Sequence, residues 1–474
     1  MPTPCVDLRC NAKHPKHIMP QGIRMARDSV LMALIAAIGL GIMMNGAVAA
    51  PYQQIAVFAL LPPLASTLAI RIHHPATARL IGWCALVAGG LLIWAIAQSI
   101  ELPSGVLAHP VWDDLSELGI DAPLSISVSP SSTRSAIPQL ILPLCIFAAM
   151  LLLCQNLRSA LLAWKVLAAL GLAIFALSAV LELFFPDVTF FSQFEVGRGA
   201  FNGVFVNRNT TAAFLALAAF ATTGWLFLPR DGTTRHSGIS HINWQSVFLC
   251  ALLFLLLIAL LSTRSRAGAT FALICLTLAI ASIFALKPEK SGYEHYRRSN
   301  RIKAGLVLGA GATLFITFGE TLISRMGAIF EDRRICVWRA TWEIITERPF
   351  TGMGLGTFAD VFPQFRNAEC LGTQGVWLRA HNSYLEFLAG MGVIGGVLGM
   401  IALTVLVRSF LIGLRQRRSL QAIPILSLGA LAFILLHSSV DFPLQIPGLA
   451  YYFAALTGAG CAISILPSAR PAGT

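Results

Sequence analysis

Residues 244–286 read WQSVFLCALLFLLLIALLSTRSRAGATFALICLTLAIASIFAL. Two apolar runs, each close to the ~20 residues that span the hydrocarbon of a bilayer, meet at a short joint carrying Arg264 and Arg266. The pattern is that of a helical hairpin in a membrane, because in lipid a helix satisfies every backbone donor and acceptor within itself. The joint also poses a chemical question. An ionised side chain costs about 2.5 to 3.5 kcal/mol at the centre of a span and less at an interface, so two guanidinium groups there need compensation or a purpose.

The rest of the chain extends the pattern. Of its 474 residues, 56% are hydrophobic and 12% charged, with a mean hydropathy of +0.73, whereas soluble domains carry about 25% charged residues. Twelve segments are long and apolar enough to span: 29–49, 53–70, 80–98, 137–155, 163–184, 209–228, 244–262, 267–286, 303–320, 383–407, 419–437 and 447–466. The second contains Pro62 and Pro63. The fold class that follows is an all-α polytopic membrane protein with about twelve transmembrane helices. The net charge of +12 does not point to nucleic acid, since the basic residues occupy gaps between apolar runs and not one face of a soluble domain. Cys84, Cys145, Cys154, Cys250, Cys275 and Cys461 lie inside apolar runs, where cysteine packs as a small hydrophobe. Cys5, Cys10, His14 and His17 do not have a standard zinc spacing. No metal and no other cofactor is expected.

Cytoplasmic gaps are enriched in Lys and Arg. With the N-terminus inside, inner gaps hold 22 of the 34 basic residues and outer gaps 12, seven of them in one long loop. This places cytoplasmic tails at 1–28 and 467–474, a first block of helices over 29–208 and a second over 209–466. Ala47-Val48-Ala49 imitates a signal-peptide cleavage site, but the apolar stretch before it is longer than a signal core and eleven spans follow, so it reads as an uncleaved helix. Two outer gaps are long. Residues 99–136, rich in Ser, Pro and acidic residues without periodicity, read as a flexible loop. Residues 321–382 carry Ile335, Trp338, Trp342 and Ile345 at helical spacing, an amphipathic helix that lies on the membrane or roofs a cavity.

Four polar pieces share the outer side: the joint with Arg264 and Arg266, EDRRICVWRATWEIITERP (331–349), RAHNSYLE (379–386) and HSSVDFPLQIP (437–447). Each has a plain structural reading. Arg264 and Arg266 can snorkel to headgroups. Arg333, Arg334 and Arg339 can form a solvated helix face. Asn382 and Ser383 can cap a helix beside His381, and His437 and Asp441 can serve a helix end. The chemical reading is that arginine forks grip phosphate while a neutral imidazole accepts a proton. TGMGLGTF (351–358) has neither the Lys-Ser/Thr nor the preceding strand of a P-loop. It reads as a turn, with its backbone N–H groups as a further phosphate contact.

In content, order and spacing these pieces resemble the O-antigen ligase and bacterial polysaccharide polymerase family of inner-membrane glycosyltransferases. The resemblance rests on the turn Ser265 to Gly268, Arg334 four residues before Trp338, RPFTGMGLGTF (348–358) and AHNSYLEFLAGMGVIGG (380–396). FNGVFVNRNTTAAFLALA (201–218) and HSSVDFPL (437–444) flank them, so the likeness covers about residues 200–450. It implies a glycosyltransferase-C-like fold with a large periplasmic loop. It implies transfer of a glycan from an undecaprenyl diphosphate carrier on the periplasmic face, to lipid A-core in the ligases or to a growing carrier-linked polysaccharide in the polymerases. Diphosphate binding falls on Arg266 and Arg334, with Arg264 as a neighbouring contact, and the essential histidine falls on His381. Asp441, His437, Asn382 and Glu386 become supporting or acceptor-side residues. The chain departs from the family at Gly390, where many members carry an acidic residue. The outer segments hold no obvious acidic cluster for a metal, so arginine electrostatics are expected to stabilise the leaving diphosphate, with inversion at the anomeric carbon. A twelve-helix transporter is the alternative from another class; it would scatter Arg266, Arg334 and His381, and an enzyme would gather them. Whether Cys336 and Cys370, both in the outer loop, are bridged stays open.

Overall fold

A computed structural model describes residues 21–103, 105–122, 124–185, 191, 199–228, 244–285, 305, 309, 332–367, 375–417 and 419–466. Its α-helices in chain order are α1 (Gln21–Met43), α2 (Ala50–Thr67), α3 (Pro75–Ser99), α4 (Val111–Glu117), α5 (Pro130–Leu153), α6 (Leu157–Phe184), α7 (Arg208–Phe227), α8 (Trp244–Ser262), α9 (Arg266–Ala285), α10 (Asp332–Glu347), α11 (Phe358–Val361), α12 (Ser383–Gln416), α13 (Ala422–Ser438) and α14 (Pro447–Ile465). No strand occurs among the described residues. Nine of these helices, namely α1, α3, α5 to α9, α12 and α14, are long and apolar enough to cross a membrane. The shorter α13 and α2, which runs unbroken through Pro62 and Pro63, also form where spans were expected. The expected span 303–320 falls almost wholly outside the described residues.

Helices α7 and α14 form the centre, each 94% buried over its most apolar window while no other span exceeds 50%. Their small side chains make this possible, since Gly, Ala, Ser and Thr let helix backbones approach closely without a hydrophobic driving force in lipid. Gly224 of α7 faces the indole of Trp164 on α6, which donates to Ala221 O at 2.9 Å. Tyr452 of α14 donates to Leu167 O of α6 at 2.9 Å. Around this pair, α14 packs on α1, α5, α6, α12 and α13, and α13 packs on α7 and α9.

At one end of the bundle, buried arginines meet helix C-termini, whose last carbonyls lack intrahelical partners and carry negative dipole charge. Arg27 donates to Leu152 O and Leu153 O at the end of α5, and Arg417 donates to Leu466 O beyond α14. The first helix accordingly begins at Gln21, ahead of its apolar stretch from 29.

The opposite end differs from expectation in three places. Residues 99–136 are not a shapeless loop: they contain α4, and α5 starts at Pro130, where proline's fixed φ suits a first helical turn. His109 N donates to Ser125 O (2.8 Å), Ser127 N to Gln98 O (2.9 Å) and Val128 N to Met353 O (3.0 Å). In α10 the buried face is Val337, Ala340, Thr341, Ile344 and Ile345, so of the expected stripe Ile345 is buried while Trp342 is exposed. The helix packs on Phe358, Phe362, Ala380 and Ala389, a second apolar cluster outside the bundle. Finally, the glycine-rich turn has no N–H groups free for phosphate at its centre. Met353 N donates to Ala389 O (2.8 Å) and Gly354 N to Gly390 O (3.0 Å), while Val393 N returns to Pro349 O (2.8 Å). Backbone meets backbone here because Gly352, Gly354 and Gly392 all have positive φ, and a Cβ on Gly352 or Gly392 would strike the facing carbonyl. A Cβ at Gly390 already lies 3.1 Å from Gly354 O, so this packing leaves little room there for an acidic side chain.

Candidate active site

His381 immediately precedes α12 and has φ of 53°, a left-handed conformation that is uncommon for a non-glycine residue and persists only where the surroundings over-determine it. The surroundings do so from every side. Glu386, one turn into α12, accepts from Ala380 N at 2.8 Å and from Arg379 Nη1 at 2.9 Å. Trp338 on α10 donates its indole N–H to Ala380 O at 3.1 Å. Asn382 caps the helix by accepting from Tyr384 N and Leu385 N, both at 3.1 Å, and donates to Ser439 O at 2.9 Å. Ser383 donates to Asp441 O at 3.1 Å and to Gln445 Oε1 at 2.9 Å. The imidazole then stands edge-on between Trp377 and Phe442, at 5.5 and 4.8 Å between ring centroids, with its side chain one quarter exposed.

Its Nδ1 faces Asp441 Oδ1 at 3.4 Å, and the other carboxylate oxygen, Oδ2, lies 4.0 Å from His437 Nε2. Asp441 is buried in the turn between α13 and α14. Burial alone would raise its carboxyl, but the imidazole of His381, with His437 and Arg334 nearby, outweighs burial and holds it below the usual carboxylate range. His437 ends α13 fully buried and stacks on Phe433 at 5.6 Å. Among the described residues no three His, Cys, Asp or Glu side chains are grouped to hold a metal ion.

Arg334 joins this cluster from α10. Its Nη1 donates to Val440 O at 2.8 Å, beside Asp441. Arg334 and Trp338 are one helical turn apart, so they project from one face, one to the turn after α13 and the other to the residue before His381. Arg266 opens α9 and is half-buried. Two residues on, Gly268 is so close to Ala212, Ser265 and His437 that a Cβ would meet His437 Cε1 at 3.4 Å. Ser265 donates to Asn209 Oδ1 of α7 at 2.8 Å. The small residues of the joint thus dock the start of α9 against His437. Arg264, with φ of 55°, is exposed and lies against Gly199, and no described contact links it to His381 or Asp441.

The structure therefore brings His381, Asp441, His437 and Arg334 together, with the Arg266 turn packed beside them, and leaves Arg264 at the rim. Glu386 and Asn382 act on the backbone that carries His381. Sequence reading did not single out Trp377, Phe442 or Asn209, since aromatic and small polar residues at loop ends are common; Ser383 was read only as a helix cap, and Trp338 carried a cue in its one-turn spacing from Arg334. Cys336 on α10 is disulfide-bonded, and Cys370 lies outside the described residues.

An elongated, mostly apolar cavity of about 1440 Å³ runs along α12 between α3, α5, α13 and α14. Arg379, Ser383, Glu386 and Gln445 line its end nearest His381.

Residues 251–400 match a family model described as O-Antigen ligase. The match takes in the arginine joint, α10, the glycine-rich turn and His381, and stops before His437 and Asp441. A comparison with curated proteins found no significant match.

Proposed function

We propose that this membrane protein, which carries an O-antigen ligase family domain over residues 251–400, is an inner-membrane glycosyltransferase. In this reading it moves a glycan from an undecaprenyl diphosphate carrier to an acceptor sugar on the periplasmic face, with lipid A-core as the acceptor. The observation that carries the proposal is the imidazole of His381 facing a buried, ionised Asp441 beside Arg334. With Nδ1 directed at the carboxylate, the other ring nitrogen, Nε2, is the proton acceptor, and Asp441 favours the imidazolium that forms. The acceptor oxygen forms its bond to the anomeric carbon as the carbon–oxygen bond to the diphosphate breaks, giving inversion. The proton passes to His381, and the departing charge lies against Arg266 and Arg334, where preorganised cations in a water-poor site act more strongly than in bulk water.

Gathering these groups at one end of the bundle argues against a transporter, whose substrate charges belong near mid-membrane. A polymerase, which passes the glycan to another carrier-linked chain, uses the same donor site, and the family match accommodates both.

In membranes of a strain lacking the native protein, His381→Ala and Arg266→Ala are each expected to abolish glycan transfer at unchanged protein level. Normal transfer by both variants sinks the proposed site. Deleting the gene separates the acceptors: loss of all long chains from lipid A-core supports the ligase, and single repeat units left on the core support the polymerase.

A further inference from the structure

The apolar cavity has a second polar end, which the proposed chemistry does not use. Arg79 in the first turns of α3 and Arg408 on α12 both line it there. Helices α3 and α12 run antiparallel and are pinned together at the other end, where Gln98 Nε2 donates to Gly390 O at 2.8 Å. At 1.5 Å rise per residue, Arg79 lies roughly 28 Å along α3 from Gln98, and Arg408 roughly 24 Å along α12 beyond the break at Gly392. The two guanidinium groups therefore reach one level, about one hydrocarbon thickness (~30 Å) away from the His381 cluster. Both are exposed. No described carboxylate pairs with either, and the one acidic residue among the described lining, Glu386, sits at the far end, bonded to Arg379. Trp83, one turn beyond Arg79, also lines the cavity and is half-exposed, as interfacial tryptophans are.

From this we infer that the Arg79–Arg408 end of the cavity is a binding site for one anionic glycerophospholipid. Its phosphate lies between the two guanidinium groups and its acyl chains lie along the apolar wall of α12. Charge complementarity selects the occupant: two uncompensated arginines at a cavity mouth between spans form the kind of basic pocket that takes acidic headgroups. Simple snorkelling of each arginine to bulk headgroups would show neither a fixed stoichiometry nor a dependence on the cavity wall. The inference does not rest on the transferase reading.

The test is native mass spectrometry of the full-length protein in detergent, titrated with phosphatidylglycerol or phosphatidylcholine. The wild type should hold one phosphatidylglycerol at least tenfold more tightly than phosphatidylcholine. Arg79→Gln with Arg408→Gln should remove that preference, Arg79→Lys with Arg408→Lys should largely keep it, and Thr404→Trp, which fills the wall, should weaken retention with both arginines in place. Each variant is first checked for a monodisperse elution profile and an unchanged melting temperature. Equal retention of the two lipids by the wild type overturns the proposal, as does undiminished phosphatidylglycerol binding by either the double glutamine variant or Thr404→Trp. Transfer activity is a separate readout, so failure here leaves the His381 assignment untouched.

Discussion

Asp441 is the residue on which the cluster turns, because it faces two imidazoles and sits beside the carbonyl that Arg334 grips. Asparagine at this position keeps the shape but removes the charge that favours imidazolium at His381. Asp441→Asn is expected to lower glycan transfer by about 10²-fold or more, with protein level unchanged, when assayed with isolated membranes. The same carboxylate should mark stability. Its folded pKa is depressed, so its contribution is fully present above the ordinary carboxylate value of about 3.9 and is lost as pH falls through the lower folded value. Melting curves of the detergent-solubilised protein should therefore show an acid-side decline in that window that is reduced in Asp441→Asn; identical declines would remove Asp441 as the origin. Residue identities of this cluster were legible in the sequence as polar groups on one side of the membrane. Their geometry was not, because the left-handed turn at His381 is imposed by Glu386, Trp338, Asn382 and Ser383 acting together, and no local sequence preference encodes that.

At the scale of elements, hydropathy located the helices and misjudged their ends. It placed the start of α5 at 137 and the end of α12 at 407, whereas the helices run from Pro130 and to Gln416. Apolar windows report what lies in hydrocarbon, and a helix continues beyond it wherever its backbone bonds and packing persist. The face of α10 was misjudged for a related reason. The stripe Ile335, Trp338, Trp342 and Ile345 was read as the apolar face of a helix on the membrane or over a cavity, but only Ile345 of it joins Val337, Ala340 and Ile344 in the buried part of the second apolar cluster, and Trp342 is exposed. Backbone interlocking at Gly352, Gly354 and Gly392 left only glycine itself as a trace. Gly352→Ala should be destabilising by about 1–3 kcal/mol from its positive φ alone, with the clash against Gly390 adding to it. It should lower the melting temperature and, by loosening the start of α12, transfer as well; an unchanged melting temperature would show that the turn adapts. The segment 102–128 has its own titrating group. Burial first, then the charge of Arg348, push His109 down to about 4 against the opposing pull of Asp114. An unfolded histidine protonates near 6.5, so the open loop binds the extra proton between roughly pH 6.5 and 4, and the closed loop loses stability as pH falls through that window. Hydrogen exchange across residues 102–128, corrected for intrinsic rate, should quicken on acidification in the wild type and stay flat in His109→Asn.

The whole molecule has two ends of different character, and the spans connect them. At one end lie the Arg266 turn, His381, the Asp441 turn and α10; at the other lie the C-termini of α5, α12 and α14, with Arg27 and Arg417 bonded to carbonyls there. The core joining them was legible only as hydrophobic segments. That α7 and the last helix, α14, lie at its centre follows from small-residue packing, which a hydropathy count does not register. Which end faces outward is a separate matter, because the bundle would pack the same way in either orientation. From the Lys and Arg distribution we propose that the Arg27 and Arg417 end lies in the cytoplasm, and the proposed reaction requires that orientation, since its donor and acceptor meet on the periplasmic face. Cysteine labelling tests the two together. Glu347 at the end of α10 and Arg415 near the end of α12 are both exposed and lie at opposite ends. In spheroplasts, Glu347→Cys should react with a membrane-impermeant maleimide above the background of the unsubstituted chain, while Arg415→Cys should react only after lysis. The reverse pattern would leave the fold intact and turn the His381 cluster toward the cytoplasm, where a periplasmic transfer could not take place.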